Sequence, residues 1–453
     1  MVLGETFIIW RQGSASEFYL YGWQLVLFWA GLGLLGGHLI SERVMTHFNS
    51  PLLIEGFEEL PSRPEYLFIA QHLLNAMNYR YVQLDKLQGG YESSGVFVVR
   101  GHNRMGQKFC DRVIKLGDFS DISAEQERYR QYVHGFLPHN SGRMVKSYAF
   151  SSKEDGHTMG GVLYDFARLD KDSDVRNLQA LYFSREISSK ELAHLLHESF
   201  ALLIENWYGE GRGERVNQYR DYPRLLKKLN DITLAVQQLT HPTATNQVRH
   251  QPTIHVRGIA LRNPVHFVDS TFQKRKESSN EREFAHRSII HGDLHSRNIL
   301  IEGAQERKLI WFIDFSNTQE GPTLWDFCSL EADIKFCLLM KDKLASEWDK
   351  QTWGAILEAE EQFSPWVNAT ASFVPSEQEL AFLESYPEVL KAWRCVAVIR
   401  EIARQFIFKE SPPWSIYSLP LLHATLPIVY YQQCSTPQKE YALISSGWLC
   451  DSL

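Results

Sequence analysis

One stretch constrains the fold more than any other: SIIHGDLHSRNILIEGAQERKLIWFIDFSN, running from Ser288 to Asn317. Two short apolar runs, Asn298 to Glu302 and Leu309 to Phe315, flank GAQERK, and that spacing predicts a β-hairpin. Polar side chains sit at its margins. Asp293 lies in a loop before the first run, Asn298 opens that run, and Asp314 falls near the end of the second. Such a hairpin brings Asn298 and Asp314 within reach of one metal ion and leaves the Asp293 carboxylate to face a cleft. Phosphoryl transfer needs that set: a carboxylate beside the attacking hydroxyl, and oxygen ligands that hold magnesium against nucleotide phosphates. A single loop aspartate is more often a turn-former or a helix cap. Three polar residues in this order between apolar strands make a shared site the expectation. His291 is expected to be structural; His295, inside the loop, either touches substrate or phosphate or serves local hydrogen bonds, the commoner use of histidine.

This block resembles the catalytic core of the aminoglycoside phosphotransferase and choline kinase superfamily, whose loop reads HGDxxxxN and whose metal aspartate follows a hydrophobic strand. Protein kinases use the same logic with HRD and DFG. Here Ser316 follows Asp314-Phe315 where a protein kinase has glycine, and Gly292 replaces the arginine of HRD, so both departures point to the small-molecule branch. The resemblance implies that Asp293 is the catalytic base, that Asn298 and Asp314 bind magnesium, and that ATP is the nucleotide. It also implies that an aspartate after the metal residue packs under the catalytic loop and bonds its backbone; Asp326 in QEGPTLWDFCSLEADIKF matches, and the helix dipole would favour a carboxylate there as well. Glu331 and Asp333 in the same stretch are expected to be solvated, acidic substrate contacts being the alternative.

A kinase-like N-lobe needs a glycine-bearing loop between two strands and a lysine on the third. In LQGGYESSGVFVV, Gly89, Gly90 and Gly95, with Ser93 and Ser94, lie between strand candidates Tyr81 to Leu87 and Val96 to Arg100. They let backbone N–H groups approach phosphates closely, or simply mark a hairpin turn. Lys115 follows within the apolar run Phe109 to Leu116, where a buried ammonium requires a partner. In the next predicted helix, with Ser123 as N-cap, Glu125 shares a face with Tyr129, Tyr132 and Val133, whereas Glu127 lies with Arg130, Gln131 and His134. Glu125 is therefore expected to turn inward and pair with Lys115, a surface ion pair being the alternative. By the resemblance, Lys115 would hold nucleotide phosphates. Strand candidates Met144 to Phe150 and Gly161 to Phe166 complete the sheet. Backbone groups from Tyr164 to Phe166 are expected to meet the adenine edge, unless this is an ordinary core strand.

The order of elements gives an α+β class, and with the resemblance a bilobal protein kinase-like fold. A small antiparallel β-sheet N-lobe (63–166) precedes a largely helical C-lobe with the catalytic loop (167–453), and residues 1–62 form an N-terminal hydrophobic helical extension. Helices are expected from Glu65 to Met77, from Glu191 onward, over Pro223 to Leu239, Leu324 to Met340 and Glu377 to Phe408, with residues 240–289 largely an exposed loop. At 44% hydrophobic and 22% charged, the chain is not disordered. A net charge of −7 argues against a surface built to wrap nucleic acid. The six cysteines form no C-x-x-C pair, so neither a zinc site nor a disulfide framework is suggested, and a reducing cytosol fits. Phe18 to Ser41 lacks Asp, Glu, Lys and Arg and meets the length of a membrane span, roughly 20 residues, so it is a tether, a buried helix or a partner-binding surface.

More narrowly, GGYESSGVFVVRG, VIKLGD, EQERYRQYV and LWDFCSLEADIKF resemble the ternary-complex-associated phosphotransferase domains of bacterial conflict systems. That resemblance implies a role in defence, with partner proteins. The expected activity is ATP- and magnesium-dependent transfer to a hydroxyl of a small molecule or another substrate, a protein included. A pseudokinase-like scaffold that only binds nucleotide is the other class.

Overall fold

A computed structural model of the protein describes residues 52–56, 64–86, 95–103, 105–137, 140–141, 144–151, 158–165, 175–222, 224–240, 248–278, 282–303, 308–341, 343, 348–365, 371–408 and 413–453. Gly89, Gly90, Ser93, Ser94 and Phe166, and the apolar run 18–41, lie outside the described residues. Among those described, no helix is long and apolar enough to cross a membrane.

Six strands make one sheet: β1 (Leu53–Glu55), β2 (Tyr79–Lys86), β3 (Gly95–Asn103), β4 (Arg112–Asp118), β5 (Met144–Ser151) and β6 (Thr158–Asp165). Their spatial order is β1-β2-β3-β4-β6-β5, antiparallel throughout except for the short parallel pairing of β1 with β2. Two helices cover it, α1 (Pro64–Asn75) and α2 (Phe119–Arg128). They meet opposite faces of β6 at a glycine pair. A Cβ on Gly161 would stand 2.6 Å from Ile69 of α1, and one on Gly160 would stand 3.1 Å from Ile122 of α2. Successive strand residues face opposite ways, so two adjacent glycines let both helices close on one strand. Ile69, Leu73, Phe97, Ile114 and Leu163 form the core on the α1 side.

The start of α2 differs from expectation. β4 pairs with β6 as far as Asp118 and runs straight into the helix at Phe119, so Asp118 is the capping position and Ser123 lies inside the helix. At its far end α2 widens into a π turn, Tyr129–Val133, whose Tyr129 and Val133 pack into the second, larger core.

That second body is mostly helical, with short strands at its margin: β7 (Val175–Asn177), β8 (Arg212–Val216), β9 (Thr253–Val256), β10 (Ile259–Arg262), β11 (Glu283–Ile290), β12 (Ile299–Glu302), β13 (Leu309–Phe312) and β14 (Gln319–Pro322). β12 and β13 pair with each other as the expected hairpin, and β12 also pairs with β7; β11 lies between β8 and β14. The helices used below are α3 (Ser189–Leu203), α4 (Leu324–Ala332), α5 (Lys350–Phe363), α6 (Pro387–Ala403), α7 (Pro413–Thr425) and α8 (Thr436–Ser452). α3 begins on a capping box made by Ser188 and Glu191.

Several boundaries shift. The helix expected over Leu324 to Met340 is α-helical to Ala332 and continues as a π turn, Asp333–Leu338. α6 starts at Pro387, which suits a first-turn position, after a separate 3-10 segment Glu379–Ser385. Within 240–289 the chain is less open than expected. Ile254, Val256 and Leu261 of the β9–β10 hairpin are buried, each in a run of four residues too short for its alternation to stand out.

Glu331 is not solvated, and Asp333 is half-buried. Glu331 is fully buried and accepts from Arg400 of α6 at 3.0 and 2.6 Å and from the Tyr417 hydroxyl of α7 at 2.7 Å. One turn on, Lys335 is buried beside Glu360 of α5 at 2.7 Å, and Glu360 also accepts from Tyr441 and Ser445 of α8 at 2.6 and 2.9 Å. Burial alone would raise the Glu360 pKa, but Lys335 outweighs it and holds the carboxyl below its usual value. Two acids and two bases thus neutralise one another inside the helical body. Burial is tolerable because every charge is paired and hydrogen-bonded, and the partners come from helices remote in sequence.

Candidate active site

Alternation along β4 sends Ile114 and Leu116 into the sheet core and leaves Lys115 facing α2. There its Nζ lies 2.8 Å from Glu125 Oε2 and 3.0 Å from Asp314 Oδ1. The expected Lys115–Glu125 pair is formed, and the direct contact with Asp314 joins the sheet to the residues after the hairpin. Burial alone would lower the Lys115 pKa, but the two carboxylates outweigh it and hold the ammonium above its ordinary value. For Asp314, burial pushes up while Lys115, Ser316 and His291 pull harder, so the carboxyl stays below its ordinary value.

Tyr164 was expected to act through its backbone; its side chain takes part as well. The phenol donates to Glu125 Oε1 at 2.6 Å, so one carboxylate oxygen serves Lys115 and the other Tyr164. Burial first, and Glu125 next, raise the Tyr164 pKa well above normal, which keeps the hydroxyl a donor. A signal for this existed: Val162 pairs with Lys115 across β4 and β6, and Tyr164, two residues along, shares that face.

The loop after β11 is held from beneath by Asp326, near the start of α4. His291 N–H and Gly292 N–H donate to its two oxygens at 2.7 and 2.9 Å, and Tyr208 O–H donates at 2.8 Å. Asp326 is fully buried, and burial raises its pKa despite these donors. His291 is buried, and its Nε2 lies 3.0 Å from the Ile313 carbonyl. Gly292 has φ +79°, and a Cβ there would stand 2.1 Å from the Asn317 carbonyl oxygen, so no other residue fits the turn. Trp325 Nε1 donates to the Gly292 carbonyl at 2.9 Å.

Asp293 comes next and is partly exposed. Its carbonyl accepts from Asn298 Nδ2 at 2.9 Å, while the Asn298 carbonyl accepts from Ile313 N–H at 3.1 Å. These bonds string Asp293, Asn298 and the residue before Asp314 together. They also explain a shift from expectation: Asn298 closes a 3-10 turn, Ser296–Asn298, just before β12, and Asp314 lies two residues beyond β13. The two residues flank the hairpin rather than belonging to it. His295 bonds its own loop, accepting from Arg297 N–H at 3.3 Å. Asp333 accepts from Ser296 N–H at 2.8 Å. Thus α4 and its extension grip the loop at both ends, through Asp326 and Asp333.

Asp314 holds a left-handed backbone, φ +63°, unusual outside glycine and common where a functional side chain must be aimed. Its carboxylate and the Asn298 amide oxygen are hard donors. Among the described residues no group of three or more His, Cys, Asp or Glu is arranged to hold a metal. A pair of oxygen donors fits magnesium, which takes few protein ligands and completes its shell with waters and phosphates.

The profile of ternary complex associated domain 9 matches residues 80–250 and 233–428, well over half of the sequence. The chain belongs to that family. Solved structures similar to this ternary complex associated domain 9 protein include an ethanolamine kinase from Plasmodium vivax, at 13% identity over 86% of this chain and 89% of that one, with a TM-score of 0.38. A GDP complex of aminoglycoside 2′-phosphotransferase-IIIa shares 12% identity over 82% and 99%, with a TM-score of 0.34. A choline kinase from Cryptosporidium parvum shares 10% over 82% and 95%, with a TM-score of 0.35. No curated protein matches the sequence. The architecture is α+β: a sheet lobe carrying a lysine–glutamate pair, set against a helical lobe carrying the HGD loop.

Proposed function

We propose that the protein is a phosphotransferase that moves the terminal phosphoryl group of ATP onto a hydroxyl of a small molecule or another acceptor. The observation that carries this reading is the placement of Lys115 Nζ between Glu125 and Asp314. A lysine fixed there by Glu125 and Tyr164 is poised to meet nucleotide phosphates, and Asp314 is the group it would share with a metal. Magnesium, held by Asp314 and the Asn298 amide oxygen, would neutralise phosphate charge. Asp293 is the group that would accept the acceptor's proton on its carboxylate, its backbone steadied by Asn298 on one side and by the Asp326-held residues on the other. Lys115 would stay charged throughout, because both carboxylates favour the ammonium. The likeness to domains of bacterial conflict systems supports a role in defence beside partner proteins.

The test is Asp293→Asn in purified full-length protein with ATP and magnesium. Hydrolysis, autophosphorylation and transfer to a metabolite panel should fall by about 100-fold or more, the usual contribution of a general base, with ATP affinity unchanged. A variant of full activity refutes the role of Asp293. Wild-type protein that binds ATP tightly yet shows none of the three reactions is a nucleotide-binding scaffold instead.

A further inference from the structure

All six cysteines are free thiols, and among the described residues only Cys337 and Cys434 have their sulfurs in contact, 3.7 Å apart and 97 residues distant in sequence. Cys337 lies in the π turn Asp333–Leu338 that extends α4; Cys434 lies in the turn that leads into α8. Gln438 of α8 donates to the carbonyls of Cys337 and Leu339, both at 3.0 Å, and so pins the two backbones side by side. Forming a bond of about 2.05 Å therefore needs the sulfurs to approach by less than about 2 Å, within reach of side-chain rotation. Unlike Cys328, Cys395 and Cys450, which are wholly enclosed, Cys337 and Cys434 keep 8% and 6% of their surface in contact with solvent.

The contact between the sulfurs shifts the two thiols in opposite directions. A hydrogen bond joins the two sulfurs at 3.7 Å; with Lys341 and Lys439, and against burial and Asp333, it holds the Cys434 pKa below the ordinary thiol value. The same hydrogen bond, with burial, pushes Cys337 up. Once ionised, either sulfur can attack; with Cys434 as the nucleophile, Cys337 is the resolving thiol 3.7 Å away.

We propose that Cys337 and Cys434 are a reversible dithiol–disulfide site oxidised by a hydroperoxide. With hydrogen peroxide, the Cys434 thiolate attacks one oxygen and the O–O bond breaks. Hydroxide leaves and takes up the proton that Cys434 had released, and a sulfenic acid remains. Cys337 sulfur then attacks Cys434 sulfur, the S–O bond breaks, and the departing hydroxide leaves as water with the Cys337 proton. Two thiols are oxidised and one peroxide is reduced to two waters. A small dithiol reverses the step. The bond would fasten to α8 the segment whose Asp333 holds Ser296 of the HGD loop. This chemistry stands or falls independently of any phosphotransferase activity.

Full-length reduced protein is treated with a small molar excess of hydrogen peroxide, blocked with N-ethylmaleimide, digested without reductant and mapped by mass spectrometry. The expected product is a Cys337–Cys434 linked peptide pair, lighter by about 2 Da than the two thiol peptides, and lost after dithiothreitol. The oxidised protein should also melt higher than the reduced one, because the bridge restrains the unfolded chain, with no such shift in Cys434→Ser. Recovery of both cysteines as free thiols under peroxide that oxidises exposed Cys110 overturns the proposal, as does linkage of either to any other cysteine. The peptide map of the wild-type chain decides the matter even if the variant does not fold.

Discussion

Replacing Arg400 with methionine isolates the energetics of the buried charges. Arg400 Nε and Nη2 grip Glu331 at 3.0 and 2.6 Å, and Nη1 donates to the Phe363 and Phe373 carbonyls. Both charged residues are fully buried. Methionine keeps most of the apolar stem but turns a neutral cluster of two acids and two bases into one with a net negative charge. Glu331 retains the Tyr417 hydroxyl at 2.7 Å and Lys335 at 3.7 Å, which soften the loss without cancelling it. Breaking a buried pair from one side costs about 3–5 kcal/mol, and the Phe363 carbonyl also loses its donor. The assay is urea unfolding of wild type, Arg400→Met and the double variant Glu331→Leu/Arg400→Met, with linear extrapolation. The single variant should lose about 3–5 kcal/mol and the double should regain at least half of that, because no unpaired charge is left. A single-variant loss under about 1 kcal/mol, the value of an exposed pair, would refute the reasoning, as would a double variant less stable than the single.

Tyr164→Phe removes one donor from a buried carboxylate without changing shape, so stability should fall by about 1.5–3 kcal/mol, measured by the same unfolding; a change under about 0.5 kcal/mol would mean that Glu125 finds another partner at no cost. Asp314→Asn gives a pH signature. Because the folded pKa of Asp314 lies below its ordinary 3.8, the stability it contributes is present above that value and is lost as pH falls through the lower folded pKa. The stability gap between wild type and Asp314→Asn should therefore narrow in acid, below about pH 4; a gap that widens there contradicts the pairing with Lys115.

Local pattern made part of the site legible where chemistry and periodicity coincide. Lys115 interrupts an apolar strand and Glu125 lies on the apolar face of its helix, so each could be read within one or two turns of chain, whereas Asp326 was reached through the family resemblance. What escaped depended on distant partners. Glu331 looks like a solvated acid until Arg400 and Tyr417 are folded onto it, 69 and 86 residues later. The Tyr164 hydroxyl reaches Glu125 across 39 residues. Asp333 caps a backbone N–H 37 residues away. The start of α2 was misplaced for a different reason: Ser123 has the chemistry of a cap, but the strand pairing carried to Asp118 overrode it.

The route taken by α2 has a mechanical corollary. Its first turns rest on Gly160 of the sheet, and its last residues, Tyr129 and Val133, are packed into the other body. Movement of one body against the other would load this helix, and the widened turn Tyr129–Val133 lies where it enters the second core. Lys115 lies on the sheet and Glu125 on the helix, so a tilt of that helix against the sheet would stretch the bond between them. The pair doubles as a strain gauge for opening.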